Sequence, residues 1–322
     1  MSPQQLYAPI AEDMLALDAV IRDRLYSDVV LIRQVAEYII GSGGKRLRPA
    51  MVLFSAGAAG YTGNYHREMA AVVEFIHTAT LLHDDVVDES ELRRGNKTAN
   101  AMFGNAASVL VGDFLYTRAF QMMVGANSMR VMEVLAEATN IIAEGEVLQL
   151  LNCHDADVEV DDYLRVIRYK TAKLFEAATR LGAIMAGASA EVEEGLAAYG
   201  MHIGTAFQLI DDVLDYSGDE ADTGKNVGDD LAEGKPTLPL IHAMQNGTPE
   251  QAASVRKAIE EGGRDDFLAV MHAIRATGAI EATRKVAEGE AELALAALQA
   301  LPPSTYKDSL VDLAKFAVAR KY

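Results

Sequence analysis

The 322-residue chain has a single cysteine, Cys153, and only eight prolines. A lone thiol can form neither an internal disulfide nor a cysteine metal cage, so Cys153 reads as a small, partly buried side chain. Basic residues are also scarce, with 29 Lys and Arg against 47 Asp and Glu and a net charge of −18. Phosphate-backbone binding needs a basic surface, so nucleic acid is excluded as a partner, and so is electrostatic docking on an anionic membrane. No run of about 18 uncharged apolar residues occurs, so no segment is expected to span a bilayer. The start, Met1-Ser2-Pro3-Gln4-Gln5, lacks a basic region followed by an apolar run. No signal peptide is expected there, and the chain reads as soluble and cytoplasmic. HExxH, GxSxG, Walker A and dinucleotide fingerprints are all missing, which removes the chemistries they serve.

Half of the residues are hydrophobic, enough for a large core, and disorder and low-complexity arrays are excluded. Apolar residues recur at spacings of three and four, as in Met69, Val72, Val73, Ile76, Thr80 and His83, or Leu110, Phe114, Leu115, Ala119 and Met122. This is the helical period, and alternation of period two is nearly absent. Asp157–Asp161 alternates but has no partner run, so it reads as loop. A dozen or so helices and no sheet are expected. Gly41 to Gly44 ends one helix, and Thr248-Pro249-Glu250-Gln251 starts another through a capping box. Pro302-Pro303-Ser304 separates the last two helices, and Ser217 to Pro236 is the least helical long stretch.

Two acidic motifs stand out. Asp84-Asp85-Val86-Val87-Asp88 follows Leu81-Leu82-His83, and Asp211-Asp212-Val213-Leu214-Asp215 follows Phe207-Gln208-Leu209-Ile210. In each, the outer carboxylates are four residues apart and share a helix face. Like charges there repel, and a helix N-terminus, basic neighbours or a divalent cation would compensate. Carboxylate oxygens suit Mg²⁺, which keeps waters and substrate phosphates in its shell. One such motif reads equally well as a solvated acidic face. Two, both embedded in apolar sequence, point to a multi-carboxylate site that recognises an oxygen-rich anion, such as a diphosphate, through bridging Mg²⁺. Basic residues beside glycines are the third signal: Lys45, Arg46 and Arg48 after Gly43-Gly44, Arg93-Arg94-Gly95, Lys170-Thr171 in mid-helix, and Lys225 and Lys235 in the acidic stretch. They form a phosphate clamp in which arginine gives bidentate contacts and lysine a point charge. His77 lies two turns before Asp84 and reads either as a packed core residue or as a donor to that clamp.

Taken in order, these motifs resemble those of the all-trans isoprenyl diphosphate synthases, across essentially the whole chain. The residues Glu74 to Thr80 and Ala101 to Phe114 resemble most the bacterial octaprenyl branch. The resemblance implies an all-α, single-domain helical bundle around a central cavity, spanning residues 1–322, although length alone suggests two domains. It implies that Asp84, Asp88 and Asp211 bind Mg²⁺, three ions in all, with Asp85, Asp212 and Asp215 in support. Arg93, Lys170, Lys225 and Lys235 would hold the allylic diphosphate. Lys45, Arg48, His77 and Arg94 would hold that of isopentenyl diphosphate, with Thr171 and Gln208 near the reacting carbon. In this family the residues one turn before the first motif gate product length. Here they are the small Ala79 and Thr80, with Phe120, Met122 and Met123 either a deeper floor or ordinary core. The implied product has eight isoprene units, the kind used as a quinone side chain, and the implied assembly is a homodimer whose product leaves through transient membrane contact. A shorter-chain synthase and a noncatalytic subunit of a heteromeric synthase are the alternatives. A terpene cyclase would not need Lys45, Arg48 and Arg94, and an acidic scaffold would leave the paired motifs unexplained.

Overall fold

The computed structural model describes residues 3–41, 44–93, 95–217, 228–263 and 265–320. Its regular structure is helical throughout the described residues apart from one hairpin of two-residue strands, Leu92–Arg93 antiparallel to Asn96–Lys97. The expectation of no sheet therefore fails by this hairpin, which Gly95 permits by adopting φ +75° at its turn. The principal helices are α1 (Ala11–Arg24), α2 (Val30–Gly41), α3 (Leu47–Ala58), α4 (His66–Val87), α5 (Asn105–Gly125), α6 (Met129–Asn152), α7 (Val160–Ile167) and α8 (Lys173–Ala186). They continue with α9 (Ala190–Ser217), α10 (Leu238–Asn246), α11 (Pro249–Glu261), α12 (Phe267–Thr277), α13 (Ala279–Ala297) and α14 (Thr305–Ala319). Between α7 and α8, residues Arg168–Ala172 form a π-turn, where the sequence predicted an uninterrupted helix around Lys170-Thr171.

The residues fall into two compact units. The first comprises Met1–Thr139, Leu174–Gly200 and Ala297–Leu313. Its axis is α4, whose Met69, Val72, Val73, Ile76, Ala79 and Leu82 are all fully buried. Each of these side chains except the smaller Ala79 contributes about 2 kcal/mol by leaving water. α4 packs on α1, α3 and α5. It meets α5 closely at Gly112, where a Cβ would stand 2.3 Å from the His83 ring. On α5 the buried set is Val111, Leu115, Ala119, Met122 and Met123, whereas Leu110, predicted to share that stripe, is 66% exposed.

The second unit comprises Asn140–Lys173, Met201–Ala296 and Ala314–Tyr322. In it α10, α11 and α12 pack on one another around Leu240, Val255, Ile259, Val270 and Ile274. Tyr163, Ile167, Leu209, Ile210 and Leu214 form a second apolar cluster. The capping box of α11 is complete: the Gln251 N–H donates to Thr248 Oγ1 at 3.3 Å and the Thr248 N–H to Gln251 Oε1 at 2.9 Å. Within the stretch read as non-helical, Asp229–Ala232 forms one helical turn. No helix among the described residues is long and apolar enough to cross a membrane.

Candidate functional site

In the first unit the acidic motif closes a helix. Asp84 and Asp85 lie in the last turn of α4 and Asp88 is its C-cap, its N–H donating to the Asp84 carbonyl at 2.8 Å. Compensation by a helix N-terminus is thereby excluded, because the C-terminal end of a helix repels anions. The three carboxylates are not equivalent. Asp85 is fully buried, and its Oδ1 accepts from Arg93 Nε at 2.9 Å and from Arg93 Nη2 at 2.7 Å. Asp84 and Asp88 are half-buried. Asn100 fixes the exit from the motif, its Nδ2 donating to the carbonyls of Asp85 at 3.1 Å and Ser90 at 3.2 Å.

The predicted basic group of this unit assembles in part. Arg48, at the start of α3, places Nη1 3.1 Å from His77 Nε2 and its guanidinium 4.5 Å from the centre of the Phe175 ring. Lys45 is exposed, and its carbonyl accepts from the Tyr7 hydroxyl at 2.6 Å. Arg46 adopts φ +46° and pairs with Asp18. Of the proposed gate, Ala79 and Met123 are fully buried, and the half-buried Thr80 donates its hydroxyl to the His77 carbonyl at 2.8 Å. Arg94 lies outside the described residues, as does Lys225.

In the second unit the acidic motif again ends a helix, with the carbonyl dipoles of the long α9 behind it. Asp212 is buried, accepting from the Tyr163 hydroxyl at 2.5 Å and from Gln208 Nε2 at 2.8 Å. Burial, then the charge of Asp230, push its pKa up to about 8 against these two hydrogen bonds. Asp211 pairs with Arg320 Nη2 at 2.5 Å, and Asp215 accepts from the Asp230 N–H at 3.2 Å. Thr171 and Gln208, predicted as neighbours of the reacting carbon, are brought together, Thr171 Oγ1 donating to Gln208 Oε1 at 3.0 Å. Lys170 Nζ lies 2.5 Å from Glu146, and Lys235 pairs with Glu233.

Sequence reasoning missed Tyr163, Glu146 and Arg320. Arg320 is 7% exposed, donates to the Phe207 carbonyl at 2.8 Å and stacks 3.8 Å from the centre of the Phe207 ring. Nothing in the run Ala317-Val318-Ala319-Arg320 signals that partnership, which spans 109 residues.

The donor set fits a hard divalent cation: oxygen ligands, half-buried, at helix ends that supply no positive charge. Asp85 Oδ2 is also buried with no hydrogen-bond partner among the described residues. Among those residues no group of three His, Cys, Asp or Glu side chains gathers closely enough to hold a metal.

Comparison with known proteins agrees with this reading. A family model described as polyprenyl synthetase matches residues 29–274. Octaprenyl diphosphate synthase of Escherichia coli (strain K12) is 57% identical over 321 residues, covering 99% of each chain. An all-trans-nonaprenyl-diphosphate synthase (geranyl-diphosphate specific) of Rhodobacter capsulatus is 48% identical over 98% of each. The crystal structure of a polyprenyl synthase from Caulobacter crescentus CB15, complexed with calcium and isoprenyl diphosphate, superposes with a TM-score of 0.96 at 47% identity, covering 100% of this chain and 98% of that one. An all-α chain that carries both acidic motifs and matches this family along most of its length belongs to the polyprenyl synthetase family and is a prenyltransferase.

Proposed function

We propose that this prenyltransferase is a long-chain all-trans polyprenyl diphosphate synthase. It condenses isopentenyl diphosphate repeatedly, 1′ to 4, onto an allylic diphosphate such as farnesyl diphosphate, and stops near eight isoprene units. One observation carries the reading: both acidic motifs and the basic residues that accompany them are complete in a single chain. A noncatalytic subunit has no need of that full set.

The two motifs lie in different units, and the family match runs through residues of both. Residues 1–322 act as one domain in which both motifs serve one reaction. Asp84, Asp88 and Asp211 would hold Mg²⁺, three ions in all. Bound Mg²⁺ supplies positive charge that makes diphosphate a better leaving group. Arg93, held on Asp85, binds that diphosphate together with Lys170, Lys225 and Lys235. Lys45, Arg48, His77 and Arg94 bind the diphosphate of isopentenyl diphosphate, and the Arg48–His77 contact supports a shared anion. Thr171 and Gln208 line the reacting carbon. As the allylic C–O bond breaks, the isopentenyl double bond attacks the cation, and the adduct loses a proton to the departing diphosphate. Apolar walls exclude the water that would quench the cation.

Ala79 and Thr80 are small where a bulky side chain would block a growing chain, which supports a long product of the kind used as a quinone side chain. Exposed Leu110 and Val124 on α5, at 66% and 67%, support a homodimer in which they are covered. So apolar a product leaves through transient contact with a membrane. The test is incubation with Mg²⁺, farnesyl diphosphate and labelled isopentenyl diphosphate, with chain-length analysis. A single product near eight units is expected, and Ala79→Tyr shortens it. A short product from the unaltered chain overturns the open gate, and no incorporation favours the noncatalytic subunit.

A further inference from the structure

One buried carboxylate outside both motifs has no part in the chemistry above. Glu290, on α13, is 8% exposed. Its Oε1 accepts from Arg168 Nη2 at 3.1 Å, and its Oε2 lies 2.6 Å from His202 Nδ1. Burial alone would raise its pKa, but the hydrogen bond and charge of His202, followed by those of Arg168, outweigh it and hold the group below its ordinary range. Glu290 therefore keeps its negative charge at neutral pH.

Its two partners are placed in a telling way. Arg168 opens the π-turn that carries Lys170 and Thr171. His202 lies on α9, six residues before Gln208. A π-turn has poorer internal hydrogen bonding than the helix around it and persists where its surroundings hold it. Three supports do so here. Thr171 is tied to Gln208, and Gln208 to Asp212. On α6, Gly145 comes so close that a Cβ there would lie 2.7 Å from the Lys170 backbone nitrogen. The third support is the Arg168–Glu290–His202 bridge, and all three lie within the second unit.

We propose that Glu290 is a positioning residue for prenyl transfer: by holding Arg168 against α9 through His202, it sets where the π-turn presents Lys170 and Thr171 to the allylic diphosphate. The inference rests on the roles given above to Lys170 and Thr171. Glu290 itself touches no substrate.

The test is steady-state kinetics of Glu290→Gln, which keeps the shape and removes the charge. KM for the allylic diphosphate should rise about tenfold and kcat fall severalfold, as expected when a reacting group is displaced by a fraction of an ångström, while KM for isopentenyl diphosphate stays within about twofold. Arg168→Met should give the same pattern, and the double variant should be no worse than the weaker single one. Arg168 is 43% exposed in its side chain, so this variant carries the test if Glu290→Gln does not fold. Glu290→Asp, which keeps the charge, should recover part of the loss. Equal rises in both KM values, or no change in either, overturn the proposal. Lys170→Ala and Thr171→Ala separate the two levels. If they leave the allylic step intact, the reading of the site fails; if they impair it while Glu290→Gln and Arg168→Met do not, only the role of Glu290 fails.

Discussion

The two acidic motifs share the pattern DDxxD and are handled differently. In Asp84–Asp88 the inner carboxylate, Asp85, is buried against a guanidinium, two of whose nitrogens reach one oxygen. In Asp211–Asp215 the inner carboxylate, Asp212, is buried against a phenol and an amide, both neutral. The first is a compensated charge. The second has its pKa pushed up to about 8, by burial and then by Asp230. In both motifs the outer residues are more accessible and the inner one anchors another residue of the site, Arg93 in one and Gln208 in the other. A repeated signature thus specifies a division between outer and inner carboxylates, while the neighbours decide the charge of the inner one.

The largest effect that would sharpen this division is on turnover. Asp84→Ala and Asp211→Ala should each lower kcat at least about a hundredfold, since each removes charge stabilisation from the departing diphosphate. Asp211→Ala should also lower the melting temperature, because it strands the buried Arg320 guanidinium. A kcat within a few-fold of the parent would break the distinction between outer and inner positions. Next comes stability at neutral pH. Asp85→Asn strands a partly buried guanidinium and should cost about 3 kcal/mol in chemical denaturation. Asp212→Asn disturbs only neutral hydrogen bonds and should cost about 1 kcal/mol. Equal costs would show that the two inner carboxylates are alike.

The smallest effect is in pH dependence. The raised pKa of Asp212 means that the folded chain keeps a proton that the unfolded chain releases near 3.8. Its stabilising contribution is present in acid and is lost as pH rises toward about 8. Glu290 has the opposite sign: its lowered pKa gives stability that is present above the ordinary carboxylate range and lost as pH falls. Thermal melts should show the parent's margin over Asp212→Asn shrinking between pH 5 and pH 9, and its margin over Glu290→Gln growing from acid to neutral pH. Parallel curves would contradict both assignments.

Much of this was legible beforehand. Helix periodicity located α4 and α9, and local chemistry located the end of α2 at Gly41 and the capping box at Thr248. These signals are short-range, and a sequence displays short-range patterns directly. The grouping of Arg48 with His77, and of Thr171 with Gln208, was implied by the family resemblance rather than by spacing; that each pair is in contact is a finding of the structure. What stayed hidden depends on distant partners. Asp85 and Asp212 could not be told from their outer neighbours, because burial against Arg93 or Tyr163 is a property of packing. The π-turn leaves no trace in a period of three and four, which neighbours in sequence set, whereas Gly145, Gln208 and Glu290 reach it from elsewhere in the chain. Leu110 fitted the apolar stripe of α5 but lies one step outside the arc that α4 covers.

Because both motifs terminate long helices, each collects side-chain carboxylates where backbone carbonyls already concentrate negative charge. The bare protein therefore folds against a local field that its ligands relieve. Anything cationic that binds these tips binds the native state in preference to the unfolded chain, and so adds to folding stability by mass action. Thermal resistance in the presence of a divalent cation is then a gauge of whether these tips bind it. The same field, screened within a Debye length of about 8 Å at physiological ionic strength, makes the empty protein the form most sensitive to salt.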